Sequence, residues 1–429
     1  MIPTILEAAA RLRQREYSAT QLLEECLSHL DRHEPRVRAW AYVDREGAYE
    51  QARRAEDELR RGLDRGPLHG IPVGIKDIID VFDLPTACGS RRWAASYARQ
   101  DAAVVERLRR AGAVLLGKTV TTQYASFDPP PTRNPWNLNR TPGGSSSGSA
   151  AAVAAGMCLA SLGTQTGGSI TRPATYCGLA AFKPSYGATS LAGVLPLAVS
   201  MDHVGPLART VAEVALVMQT IDQSQRVLVG LPEQPPRLAR VRGLFERLAH
   251  PAVTAMMDRV CDEWRAAGAR LQEWQLPPGF DELPELQRLV MAVEAAGYHE
   301  PRYRRYPEDY EPNITRLLEE GLACPASHYA RAKELQAQWR EQLRQMPLLV
   351  CPAVTGPAPE ASTTGDPSFN APWSYLGFPS ASLATALVEG LPIGVQVVGP
   401  AGRDRAVLRA AQWCEQFLEV SLGMPGGLS

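Results

Sequence analysis

The segments Pro142-Gly143-Gly144-Ser145-Ser146-Ser147-Gly148-Ser149, Ala150-Ala151-Ala152-Val153-Ala154-Ala155-Gly156 and Gly163-Thr164-Gln165-Thr166-Gly167-Gly168-Ser169-Ile170 decide how this chain is read. Two serine-glycine segments bracket a helix-like run of small residues with almost no bulky side chains. Glycine lets the backbone approach a ligand closely and aim successive N–H groups at a developing negative charge. Each segment also carries hydroxyls, so the two read as halves of one acyl-transfer site.

The rest of the chain fits a globular protein built around such a site. It has 429 residues, 45% hydrophobic and 21% charged, enough apolar material for a large core. A net charge of −1 gives no electrostatic argument for nucleic acid or an anionic membrane as partner. No apolar run approaches the roughly 18 residues of a spanning helix. The opening Met1-Ile2-Pro3-Thr4-Ile5-Leu6-Glu7 lacks the basic and apolar regions of a signal peptide. The eight cysteines are scattered singly, without a C-x-x-C pair or zinc spacing. Reduced, mostly buried thiols in a cytoplasmic protein are expected. The seven histidines form no metal-binding cluster, and no metal or other cofactor is expected.

Helices dominate residues 1–60, where Ser18 and Gln21 make a capping-box pattern ahead of Leu22, Leu23, Cys26, Leu27 and Leu30. A strand follows at Gly70-Ile71-Pro72-Val73-Gly74-Ile75-Lys76, and Asp101 is placed to cap a helix carrying Val104, Val105 and Leu108. Ala113-Val114-Leu115-Leu116 reads as a strand, and Thr210 with Glu213 as another capping box. From about 223 to 347 the composition shifts toward Arg, Glu and Pro. There a linker is expected at Leu231-Pro232-Glu233-Gln234-Pro235-Pro236, then amphipathic helices near Met256–Ala267 and Tyr329–Leu343. The charged stretch Tyr298–Tyr310 reads as a solvated face or surface loop. Strands return at Leu348-Leu349-Val350 and Ile393–Val398. The expected fold is one α/β domain: N-terminal helices over 1–60, a core over about 60–222 and 348–420, and a helical insertion over about 223–347.

Two motifs are formal matches only. Gly112-Ala113-Val114-Leu115-Leu116-Gly117-Lys118-Thr119 fits G-x-x-x-x-G-K-T, but its middle is a buried strand, whereas a phosphate loop follows its strand. Gly144-Ser145-Ser146-Ser147-Gly148 fits G-x-S-x-G, yet Asn134–Pro142 before it is loop chemistry, not the strand of a nucleophile elbow. The two-loop arrangement with Lys76 is the third pattern. A serine hydroxyl needs a neighbour to take its proton, and a lysine can do so only when neutral. Burial beside Ile71–Ile75 would favour the neutral amine.

These segments resemble the amidase signature family of serine hydrolases. The likeness rests on Gly70–Asp77, Pro142–Ala155, Gly163–Pro173, Cys177-Gly178-Leu179-Ala180-Ala181-Phe182-Lys183-Pro184, Asp202-His203-Val204-Gly205-Pro206 and Gly390–Gln396. It covers nearly the whole chain and is weakest over about 223–347. The resemblance implies a mixed β-sheet flanked by helices and a Ser-cisSer-Lys triad. Ser169 would be the nucleophile, Ser145 the relay after a cis peptide bond, and Lys76 the base. The N–H groups of Thr166, Gly167, Gly168 and Ser169 would form the oxyanion hole. It implies hydrolysis of a carbon–nitrogen amide bond in a small-molecule substrate, with ester, carbamate and urea-like bonds as extensions. The chain would act as a monomer or a homodimer. Two alternatives stay open: the glutaminase-type A subunit of a glutamyl-tRNA amidotransferase, and a non-catalytic binding member of the fold.

Two departures from the family pattern matter, beside a milder one, Ser147 in place of a common Gly. Gln165 stands where Asp is common, and Thr171 follows Ser-Ile where Arg is common, with Arg172 next. The chain is also short for the family, an economy assigned to the helical insertion. Gly144, Gln165, Tyr124 and Trp373 are the candidate substrate contacts. Trp373, Tyr375 and Phe378 fit an acyl-pocket lining and core packing equally well.

Overall fold

The computed structural model describes residues 2–223, 234–418, 422 and 425–428. Eleven strands form one mixed sheet: β1 (Trp40–Val43), β2 (Pro72–Lys76), β3 (Val114–Thr119), β4 (Ala160–Gln165), β5 (Ala180–Lys183), β6 (His203–Ala208), β7 (Arg237–Val241), β8 (Arg270–Trp274), β9 (Leu348–Pro352), β10 (Ser380–Val388) and β11 (Leu391–Val398). Their spatial order is β1-β3-β2-β4-β6-β5-β10-β11-β9-β7-β8. β2 runs parallel to both β3 and β4, and β7 runs parallel to β8 and β9; the remaining pairs are antiparallel.

The central strands are buried along their whole length, as expected where helices cover both faces. The small-residue helix Ser147–Ala154 is entirely buried and packs on β2, β3, β4 and β6. Its composition has a steric cause. A Cβ on Gly148 would lie 2.2 Å from the Ala39 carbonyl oxygen and 2.3 Å from the Val120 nitrogen. Only glycine at 148 lets the helix sit that close to the backbone flanking β1 and β3. Both expected capping boxes form, on the helices Ala19–Val37 and Val211–Ile221. All eight cysteines are free, and all but Cys324 are buried. Among the described residues no helix is long and apolar enough to cross a membrane.

Several expectations are corrected. Asp101 does not cap the helix Ala103–Arg110; its carboxylate accepts hydrogen bonds from the Phe82 N–H and the Arg109 guanidinium. Residues 1–60 include the edge strand β1 between their helices. The segment 223–347 is not wholly helical, because β7 and β8 lie within it and continue the sheet beyond β9. Part of the linker, Leu231-Pro232-Glu233, falls outside the described residues; Gln234-Pro235-Pro236 leads directly into β7. Tyr298–Tyr310 is not simply a solvated face. The helix Leu283–Arg305 continues through most of it, and His299 and Tyr310 are buried beside the Tyr124 ring.

Candidate active site

The two serine-glycine loops and the end of β2 meet at the centre of the sheet. Lys76, the last residue of β2, is fully buried, and its Nζ lies 2.7 Å from Ser145 Oγ and 2.7 Å from Thr164 Oγ1. No carboxylate pairs with it among the described residues. Burial therefore holds its ammonium form well below the usual lysine range, with the charge of Asp202 opposing that shift only in part. The Gly144–Ser145 peptide bond is cis. Ser146 N–H donates to the Ser169 carbonyl at 3.3 Å, which brings the two loops into backbone contact. Ser145 is buried, whereas Ser169 is partly exposed, and its hydroxyl has no hydrogen-bond partner among the described residues.

The Ser169 loop presents its N–H groups in an orderly way. Each carbonyl from 165 to 168 accepts a hydrogen bond from a different place. Gln165 O lies 3.1 Å from His203 Nδ1, Thr166 O 3.0 Å from Gln287 Nε2, Gly167 O 2.6 Å from Ser374 Oγ, and Gly168 O 3.0 Å from Arg172 N. The N–H groups of Gly167, Gly168 and Ser169 have no partner among the described residues. Gly168 is required by close approach, since a Cβ there would lie 2.6 Å from Asn370 Oδ1. Three adjacent unspent donors beside an unpartnered hydroxyl are the chemical groups needed to stabilise an oxyanion.

A second layer holds this loop. The Thr166 hydroxyl donates to Asp202 at 2.5 Å, and the same carboxylate accepts the N–H groups of Leu197 and Ala198 at 2.9 and 3.0 Å. Burial pushes Asp202 up to about 6 despite these bonds. His203 is buried and held well below its usual range, first by burial and then by nearby Lys183. A neutral imidazole donating from Nδ1 leaves Nε2 to accept from Lys183 Nζ, 3.4 Å away. Arg172 Nη2 donates to the Gly144 carbonyl at 2.8 Å, tying the second loop to the first.

The candidate substrate contacts are placed differently from one another. Gln165 is fully buried in the scaffold of the loop. Its Oε1 accepts from Ile170 N, Thr171 N and Thr171 Oγ1 at 2.8, 2.9 and 3.1 Å, and its Nε2 donates to Ser374 Oγ. The two positions singled out against the family pattern, Gln165 and Thr171, are thus in direct contact as a neutral pair. Trp373 is fully buried, stacked on Phe245 at 5.9 Å and 5.2 Å from Phe280, so it packs the core under the loop. Tyr375 and Phe378 are likewise buried. Tyr124, in a left-handed backbone conformation at φ 49, is buried and donates its hydroxyl to Asp309 at 2.5 Å. Gly144 lies against the methyl groups of Thr122 and Thr364. Four further residues serve the site. Thr164 and Asp202 lie within motifs of the family resemblance, whereas Ser374 and Gln287 carry no local signal of their roles, Gln287 being one polar residue on a long helix.

Comparison with known proteins bears on the family and the fold. The profile of the Amidase family matches residues 21–408. The A subunit of glutamyl-tRNA(Gln) amidotransferase from Roseiflexus castenholzii is 32% identical over 98% of this chain and 97% of its own length. A crystal structure described as an amidase superposes with a TM-score of 0.89 at 34% identity, covering 97% of this chain and all of that one. The native peptide amidase of Stenotrophomonas maltophilia superposes at 0.84 with 26% identity, covering 98% of each chain. The fold, the loops that meet in it and these relatives together place the chain in the Amidase family, the amidase signature hydrolases.

Proposed function

We propose that this protein hydrolyses a carbon–nitrogen amide bond of a small molecule through an acyl-enzyme on Ser169. One observation carries the reading. Lys76 is buried, has no acid partner and contacts Ser145, next to the loop that holds a partly exposed, unpartnered Ser169 and three N–H groups without partners among the described residues. Neutral Lys76 takes the proton of Ser145 as Ser145 takes that of Ser169. The Ser169 oxygen bonds to the carbonyl carbon, and the oxyanion settles against the N–H groups of Gly167, Gly168 and Ser169. The Thr166 N–H would extend this row of donors. The carbon–nitrogen bond breaks as the proton returns through Ser145 to the leaving nitrogen. Water then adds to the ester and releases the acid and Ser169. Ester, carbamate and urea-like bonds fit the same chemistry. Eight unpaired thiols suit a reducing, cytoplasmic compartment.

The test is hydrolysis of a panel: aliphatic and aryl amides, glutamine, a carbamate, a urea derivative and an ester, each beside Ser169→Ala. Turnover that disappears in the variant supports the reading, and the preferred member names the bond. Turnover equal in both proteins overturns it.

A second reading has its own support. Relatives named as the A subunit of glutamyl-tRNA(Gln) amidotransferase align over almost their whole length at 30 to 33% identity. In that reading the same serine releases ammonia from glutamine for a partner protein. Ammonia release confined to glutamine, together with a copurifying partner, would favour it over a free-standing amidase.

A further inference from the structure

A trans peptide is rigid and planar, so its C=O and the N–H that follows point in opposite directions. Whatever holds the carbonyl of one residue therefore aims the N–H of the next. In the Ser169 loop the Thr166 carbonyl is held by Gln287 Nε2 at 3.0 Å and the Gly167 carbonyl by Ser374 Oγ at 2.6 Å. The N–H groups aimed by these two contacts belong to Gly167 and Gly168, both unpartnered among the described residues.

Neither donor comes from the serine-glycine loops. Gln287 lies on the helix Leu283–Arg305, inside the region where the family resemblance is weakest, and Ser374 lies on the short helix Ala371–Tyr375. Both are buried, and both have their geometry fixed. Gln287 packs its amide against Met291 on its own helix, and Ser374 also accepts from Gln165 Nε2 at 3.1 Å. The same helix is fastened to the core nearby, where Glu294 accepts from Ser200 N and from Tyr329 Oη. Glycine at 167 and 168 cannot hold its own peptide planes by side-chain sterics, so the orientation must be imposed from outside.

We infer that Gln287 and Ser374 are positioning residues for the oxyanion hole, aiming the N–H groups of Gly167 and Gly168 at the transition state. This rests on the serine-hydrolase reading above. The inserted region thus completes the catalytic machinery.

The test uses a fluorophosphonate on the full-length protein. Ser169 Oγ forms a bond to phosphorus, fluoride leaves, the serine proton passes to the Ser145–Lys76 relay, and the phosphoryl oxygen occupies the oxyanion hole. Mass spectrometry locates the adduct, with Ser169→Ala as control. Gln287→Met removes the donor while keeping length and apolar packing. Ser374→Ala is the second variant should the first fail to fold. The expected result is a fall in the limiting labelling rate of about 10- to 100-fold, below the cost of deleting an oxyanion donor outright. The concentration giving half-maximal rate should stay unchanged, a split that a general loosening of the fold would not produce. Labelling of wild type and of the folded variants at equal limiting rates overturns the inference and leaves the serine-hydrolase reading standing. Wild type that is not labelled at Ser169 overturns both.

Discussion

Lys76 and Lys118 are neighbours on adjacent parallel strands, with Ile75 of β2 in register with Lys118 of β3, and both side chains are fully buried. Their surroundings differ by one carboxylate. Lys118 lies 3.0 Å from Asp77 and donates to Pro85 O and Thr86 Oγ1 at 2.8 and 3.0 Å. Lys76 meets only the hydroxyls of Ser145 and Thr164. Side chains alternate across a strand, so the lysine at 76 and the acid at 77 point to opposite faces, and the acid goes to the neighbour. The same residue type at the same depth is thereby a structural ion pair on one strand and, on the next, an amine without an acid partner, the base of the proposed mechanism.

Replacing Lys76 breaks the comparison from the chemical side and carries the largest expected effect. Lys76→Met should lower kcat by about 10³-fold, within the range typical of a lost general base. The wild-type activity should fall as pH drops, because protonation of Lys76 removes the base. The midpoint of that limb should lie well below the ordinary lysine value of 10.5. The stability effect has a definite sign. Between the folded-state value of Lys76 and 10.5 the unfolded chain binds a proton that the folded chain does not, so stability rises with pH through that window. The penalty is full below the window and gone above it. Lys76→Met should flatten this dependence while abolishing turnover. Full activity in Lys76→Met would remove the base from the mechanism.

Replacing Lys118 sharpens the comparison from the structural side. Lys118→Met leaves Asp77 buried without its partner, and breaking a buried pair in this way costs about 3–5 kcal/mol. The additional change Asp77→Asn should recover much of that loss, since no uncompensated charge then remains. Denaturant unfolding measures both, and the folded variant should keep kcat within a few-fold of wild type. A kcat loss as deep as that of Lys76→Met would show that the two lysines act together.

The legible part of the molecule is the part whose constraints are local. The small-residue helix, the strand ending in Lys76 and both capping boxes follow from short-range patterns that the fold leaves intact. The phosphate-loop match failed for the reason read from its sequence, because Val114–Thr119 is a strand. What was missed depends on distant partners. β8 is an edge strand whose side chains are exposed or half-buried, so it lacks the alternation that marks a strand with one covered face. Asp101 looked like a cap but found Arg109 and a neighbouring backbone N–H. Gln287 reaches the Thr166 carbonyl across 121 positions of sequence, a contact no local pattern encodes.

The neutral pair Gln165–Thr171 offers the smallest and most discriminating test, because it asks whether charge inside the loop can be exchanged as a unit. Gln165→Asp keeps acceptors for the N–H groups of Ile170 and Thr171 but loses the amide that donates to Ser374. It also buries a carboxylate with no cation in place. A buried group left imperfectly satisfied costs about 1–3 kcal/mol, with a few-fold loss of activity expected from the freed Ser374 hydroxyl. Adding Thr171→Arg supplies the cation common in the family and should return most of that stability. The double-mutant cycle measures the coupling, and contacting residues typically show about 0.5–3 kcal/mol. A coupling in that range means that the two departures form one substitution, with an acid at 165 tolerated best beside a cation at 171, as Asp77 is beside Lys118. Additive effects would mean that Gln165 is set by its bond to Ser374 alone, and that the loop geometry is indifferent to what stands at 171.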